Sequence, residues 1–110
     1  VLIGGSGADK FTGGAGDELM IGGSTDFDAD LTGLSNIFNE WTLTPSYADR
    51  VAHLKGGLGG LNNGTFLSSL TIHDDVTKDT LTGKKGDDWF LTNLLDLAKD
   101  RLATEELTSL

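Results

Sequence analysis

A nine-residue phase near the N-terminus limits this chain more than any other feature. Gly4-Gly5-Ser6-Gly7-Ala8-Asp9-Lys10-Phe11-Thr12 runs directly into Gly13-Gly14-Ala15-Gly16-Asp17-Glu18-Leu19-Met20-Ile21, and a third copy opens with Gly22-Gly23-Ser24 before the pattern lapses. Val1-Leu2-Ile3 has the phase of the last three positions of an earlier copy, which predicts a piece of a longer polypeptide. The phase returns in Gly83-Lys84-Lys85-Gly86-Asp87-Asp88-Trp89-Phe90-Leu91. Counting back nine gives residues 74–82, where Asp79 and Leu81 hold their places. Such a period signals stacked repeats, none of which can bury its apolar residues alone. Six residues with spaced glycines make a wide turn, and the next three make a short strand. The middle strand residues Leu2, Phe11, Met20, Leu81 and Phe90 are then predicted to share one thin core.

The turns also carry the acid. Asp9, Asp17, Glu18, Asp26, Asp28, Asp74, Asp75, Asp79, Asp87 and Asp88 are ten of the 17 acidic residues, in a chain of formal charge −9. Turns stacked about 4.8 Å apart bring those carboxylates together, a repulsive arrangement without a cation. Calcium accepts irregular cages of six to eight oxygens, whereas magnesium demands a tighter octahedron, so calcium is the ion this composition predicts.

GGSGADKFT and GGAGDELMI resemble the haemolysin-type calcium-binding nonapeptide repeats of RTX proteins. The resemblance implies a mainly β fold: a parallel β-roll of glycine-rich repeats, interrupted here by an inserted α-helical hairpin. It also implies calcium held between same-side turns, in about two to three ions. By that pattern the ligands fall among Gly5, Gly7, Asp9, Gly14, Gly16, Asp17, Glu18, Gly23, Asp26, Asp28, Asp74, Asp79, Gly86 and Asp88. Two departures stand out: Glu18 occupies an aspartate position, and Lys84 replaces a second glycine, which weighs against full carbonyl ligation at that turn. If residues 29–69 are inserted at the third turn, counting turns puts 73–79 on the second edge and 83–88 on the first. Asp9 then faces Asp26 or Asp28, Asp17 or Glu18 faces Asp79, and a third ion lies between the interrupted turn and Asp88.

The single module expected over 1–110 divides into a first roll block (1–28), the insertion (29–69), a second roll block (70–91) and a C-terminal cap (92–110). In the insertion the period changes to 3.6: Leu31, Leu34, Ile37, Phe38 and Trp41 predict one helix, capped by Asp30 or Thr32. Thr44 as cap, Pro45 as first helical residue and the stripe Tyr47, Val51, Leu54 predict a second, with Lys55 and Gly56 at its end. His53 lies off that stripe and is expected to be solvated. Gly57, Gly59, Gly60 and the pair Asn63-Gly64 predict a loop with an irregular hairpin. In the tail, Leu91, Leu94, Leu95, Ala98 and Leu102 have helical spacing, while Leu95 and Leu97 alternate like a strand. Both readings stay open.

Several function classes are disfavoured. The negative charge argues against nucleic acid, and no run of about 18 apolar residues is present to span a membrane. The absence of cysteine excludes disulfides, zinc–thiolate sites and cysteine nucleophiles. Asp26, Asp28 and Asp30 open like an EF-hand loop, but Leu31 and Ile37 stand where glycine and glutamate belong. No serine has a nucleophile-elbow context and no glycine loop leads into Lys-Ser or Lys-Thr. The chain is expected to be non-enzymatic: a calcium-binding structural module of a secreted or cell-surface bacterial protein, folding on calcium after export. The alternatives are an adhesion or assembly module using the helical insertion with a cell-surface or protein partner, and the C-terminal segment of a secreted hydrolase whose catalytic part lies upstream. A wider similarity, through Glu40-Trp41 and the run from His73 to Phe90, is to a module at the C-terminal end of large bacterial surface proteins.

Overall fold

Triplets of this kind become strands only by pairing with neighbours. The computed structural model describes residues 1–110 and orders the chain as β1 (Leu2–Ile3), β2 (Lys10–Thr12), β3 (Leu19–Ile21), β4 (Ser24–Thr25), α1 (Leu31–Leu43), α2 (Tyr47–Leu54), β5 (Ile72–His73), β6 (Thr80–Thr82), β7 (Trp89–Thr92), β8 (Leu97–Ala98) and β9 (Glu106–Ser109). It comprises two units, one of residues 1–24 with 73–110 and one of residues 25–72. No helix is long and apolar enough to cross a membrane.

In the first unit, successive strands alternate between two parallel sheets, ordered β1-β3-β7-β9 and β2-β6-β8. The register aligns Leu2, Met20, Phe90 and Leu107 across one sheet and Phe11, Leu81 and Ala98 across the other. Met20, Leu81 and Phe90 are fully buried, with Leu2, Phe11 and Ala98 packed around them. These are the middle positions of each triplet, as the period requires. In β3 and β7 the flanking residues Leu19, Ile21, Trp89 and Leu91 are buried too. That explains their unbroken apolar runs, the usual composition of parallel strands buried on both faces.

The tail is not a helix; of the two readings the strand holds, and it supplies two strands rather than one. β8 pairs with β6 and β9 with β7, so residues 93–110 add a sixth and a seventh strand to the alternation of β1, β2, β3, β6 and β7. From β2 onward each strand of this unit has an acid two residues ahead of its register-aligned residue: Asp9 and Phe11, Glu18 and Met20, Asp79 and Leu81, Asp88 and Phe90, Asp96 and Ala98, Glu105 and Leu107. Helical spacing of the tail leucines fails because Leu94, Leu95 and Leu102 are exposed turn residues.

The second unit contains both predicted helices. Asp30 caps α1, its carboxylate accepting from Gly33 N–H at 3.2 Å. The buried face of α1 is Gly33, Ile37, Glu40 and Trp41, while Leu31 and Phe38 are exposed. The cap of α2 is Ser46, which accepts from Asp49 N–H; Thr44 instead closes α1, donating its N–H to Glu40 O. Pro45 therefore precedes the cap rather than opening the helix. Between Gly57 and Ser69 no strand forms. Asn62 holds this loop by donating to His53 O at 3.2 Å and Thr65 O at 2.8 Å.

His53 is not solvated. Its Nδ1 lies 2.5 Å from Oε1 of Glu40, which is fully buried and whose Oε2 accepts from Leu61 N–H at 2.6 Å. One carboxylate thus ties α1, α2 and the glycine-rich loop. Burial raises the Glu40 pKa, but the Leu61 amide, the His53 hydrogen bond, a Thr44 hydrogen bond and the His53 charge together hold it below the ordinary value. Arg50 donates to Trp41 O at 3.2 Å and lies 4.8 Å from the Trp41 ring centre, so the same hairpin also has a cation–π clasp. Glu40→Ala is expected to lower stability by about 3 kcal/mol in urea denaturation, because it leaves buried donors unanswered. A depressed carboxylate pKa stabilises above the unfolded value and loses that contribution as pH falls through the folded one. The stability gap between wild type and Glu40→Gln should therefore narrow below about pH 4.

Candidate metal centre

Turns running from the first sheet to the second lie along one edge of the first unit, and those running back lie along the other. On the first edge, turn 4–9 stacks on a turn made of two separate segments, 22–24 and 73–79. Gly5 N–H donates to Gly23 O at 3.0 Å, Gly7 N–H donates to the Asp75 carboxylate, and Asp9 N–H donates to Asp79 Oδ1 at 2.7 Å. On the second edge, turn 13–18 stacks on 83–88. Gly13 N–H donates to Thr82 O at 2.7 Å, Asp87 N–H to Asp17 Oδ1 at 2.8 Å, and Glu18 N–H to Asp88 Oδ1 at 2.8 Å.

This arrangement reverses the edges expected from counting turns. Asp9 meets Asp79, not Asp26 or Asp28, and Glu18 meets Asp88, not Asp79. The reason is topological. Segments 22–24 and 73–79 are the two halves of one turn, and residues inserted within a turn do not advance the alternation between sheets. A Cβ on Gly22 would lie 3.1 Å from Asp79 Oδ2 and one on Gly23 2.5 Å from His73 O, so the halves close on each other tightly. Asp28 accepts from Thr25 N–H at 3.1 Å and Thr25 Oγ1 at 2.6 Å, shaping its own turn, while Asp26 N–H donates to Thr71 O. Asp74 accepts from Val76 N–H and the Asn93 amide.

The first glycine of each repeat is small because the acid at the sixth position folds back over it. A Cβ on Gly4 would lie 2.8 Å from Asp9 Oδ2, one on Gly13 2.6 Å from Glu18 Oε2, and one on Gly83 would collide with the Asp88 carboxylate. In the fourth position Gly86 is equally confined, since a Cβ there would press on Gly16 O and lie 2.8 Å from Asp17 Oδ1. Gly14 and Gly16 flank Glu18, each with a Cβ direction 3.9 Å from Oε1.

Asp79 and Asp88 each give one oxygen to a backbone amide, that of Asp9 and that of Glu18. Asp9 Oδ2, Glu18 Oε2 and Asp79 Oδ2 are buried with no hydrogen-bond partner. A buried carboxylate oxygen without a donor is costly unless a cation meets it. Protonation is the other escape: burial, followed by the charges of Glu105 and Glu18, pushes the Asp88 carboxyl up to about 7. Burial likewise raises Asp79, with Asp96, Asp75 and Asp9 adding to it against the Asp9 amide, which lowers it. Buried, oxygen-only and set in glycine-rich turns, this donor set fits a hard divalent cation. No three acid, histidine or cysteine side chains gather at one point. The acids meet in pairs across stacked turns, Asp9 with Asp79 and Glu18 with Asp88.

Lys84 keeps the backbone shape of the glycine it replaces: its φ is +72°, against +79° at Gly5. Asp100 sustains that left-handed residue, its two oxygens accepting from Gly83 and Lys84 N–H at 2.8 Å each. A side chain in this region costs about 1–2 kcal/mol, partly offset by the extra unfolded-state freedom of glycine. Lys84→Gly should consequently raise the denaturation midpoint, with a gain of roughly 0.5–1 kcal/mol. Lys84→Val, branched at Cβ, should lower it.

Residues 1–26 and 75–93 match the family model of the RTX calcium-binding nonapeptide repeat, in four copies. No curated protein and no solved structure matches the chain. The matched segments contain Asp9, Glu18, Asp79 and Asp88, while the turns carrying Asp96, Asp100 and Glu105 lie beyond them. The match covers the turns in which Asp9 stacks on Asp79 and Glu18 on Asp88, so these segments are similar to the RTX calcium-binding nonapeptide repeat.

Proposed function

We propose that this chain is a calcium-binding structural module of a secreted or cell-surface protein, and that its two parallel sheets form a β-roll closed by the metal. The observation that carries the reading is the set of buried, partnerless oxygens on Asp9, Glu18 and Asp79, directed inward from stacked turns. Two ions satisfy this arrangement. One is held on the first edge by Asp9 and Asp79, with carbonyls of Gly5, Gly7 and Gly23. The other is held on the second edge by Glu18 and Asp88, with carbonyls of Gly14, Gly16 and Gly86. Asp17, Asp26, Asp28 and Asp74 shape turns through the hydrogen bonds described above.

The mechanism is linkage. An ion that binds only the stacked form stabilises it by about 2.7 kcal/mol per site at a hundred times its dissociation constant. Without the ion, like charges in register oppose stacking; with it, the same charges become the adhesive. In this reading a calcium-poor compartment leaves the chain loosely ordered and calcium-rich surroundings close it. The role is architectural rather than catalytic.

Isothermal titration with calcium should give two ions per chain, and circular dichroism in chelator should lack part of the strand signal that calcium restores. Asp79→Asn should remove one ion and leave the second. A fully folded spectrum in chelator would overturn the folding mechanism, and an unchanged ion count in Asp79→Asn would overturn the site assignment.

A further inference from the structure

The acids that continue both columns past residue 93 are held differently from those before them. Asp96 accepts from Asp79 N–H through Oδ1 at 2.8 Å and from Asn93 N–H through Oδ2 at 3.0 Å. Glu105 accepts from Asp88 N–H through Oε2 and from Leu102 N–H through Oε1, both at 2.7 Å. Both oxygens of each are therefore engaged by backbone donors. Asp79, by contrast, is fully buried, gives Oδ1 to the Asp9 amide and keeps Oδ2 without a partner. The spacing changes with the bonding: seventeen residues separate Asp79 from Asp96 and Asp88 from Glu105, where two full nonapeptides would give eighteen. No glycine follows Gly86, so the last turns lack the small first position over which the earlier acids fold.

We infer that Asp96 and Glu105 are positioning residues for the metal-binding turns and not ligands, and that they end metal occupancy at two ions. This rests on the calcium-binding reading above. Each grips the backbone amide of the ligand acid one rung back, Asp79 or Asp88, and so fixes the Cα from which that carboxylate reaches the ion. The second oxygen, bonded within its own turn three residues back, takes a backbone donor in place of a cation. Charge-assisted amide bonds of this kind are the stronger class of hydrogen bond, and the Asp88 amide they satisfy is buried. The tail thus supplies the last rung of each column by hydrogen bonding alone.

Calcium titration of the intact chain, with Asp79→Asn as the ligand control, tests the assignment. Asp96→Ala and Glu105→Ala should each keep two ions, with one of the two bound about tenfold more weakly, the loss of one charge-assisted hydrogen bond. Asp96→Asn, whose carbonyl oxygen still accepts the Asp79 amide, should recover most of that affinity. In the Asp79→Asn background the single remaining ion reports the second edge alone. There Glu105→Ala should weaken it about tenfold and Asp96→Ala should leave it unchanged. Loss of a whole ion in Asp96→Asn or Glu105→Gln would make these residues ligands and overturn the inference. So would unaltered affinities in both alanine variants. If an alanine variant does not fold, the ion counts of Asp96→Asn and Glu105→Gln decide. Wild-type protein that takes up no calcium would overturn the calcium reading and this inference together; normal wild-type binding with either contrary result overturns this inference alone.

Discussion

Stacked turns of like charge are the constraint on which the first unit depends. Parallel strands a few residues long need neighbours on both sides, and bringing the turns into register brings their carboxylates into register too. The chain meets this with a repeated bond: the amide of one acid donates to the carboxylate of the next, from Asp9 to Asp79 to Asp96 on one edge and from Glu18 to Asp88 to Glu105 on the other. The bond engages one oxygen of each accepting acid, Asp79, Asp88, Asp96 and Glu105. The other oxygen of Asp79 is buried without a donor, whereas those of Asp96 and Glu105 are bonded within their own turns.

The same bond explains the composition. Glycine at the first position is required where a carboxylate folds back over it, as at Gly4, Gly13 and Gly83. It is dispensable where the acid turns to backbone donors, as in the tail. Lys84 shows how a local rule is overridden: a residue with a side chain holds a glycine conformation because Asp100 bonds its amide and the one before. In the second unit a different buried carboxylate organises the structure, with Glu40 joining two helices and a loop through His53 and Leu61.

Much of this was legible in the residues themselves. The nine-residue phase gave the strands, their inward residues Phe11, Met20, Leu81 and Phe90, and the acids in phase with them. The helices were visible from their period, and Asp30 from its place before α1. Three features were not. The edge on which each turn lies required knowing that 22–24 and 73–79 are one turn, and nothing local distinguishes a split turn from a complete one followed by another. His53 was expected to be solvated because it lies off the apolar stripe of α2, and only the structure shows its contact with the buried Glu40. The tail was open between helix and strand because its leucines fit both spacings; the signal that identifies its two strands, an acid two residues before the register-aligned residue, emerges once the register is known.

The sequence by itself determined the repeat, the alternation of turn and strand, and the chemistry of the turns, because these are properties of contiguous residues and of the conformations glycine permits. Only the tertiary structure decided which acids meet, which of their oxygens stay without a donor, and where the columns stop. Those outcomes depend on partners 70 residues away in the chain, as Asp9 and Asp79 or Glu18 and Asp88 are, and contacts at that separation are set by the stacking of whole turns rather than by any neighbouring residue.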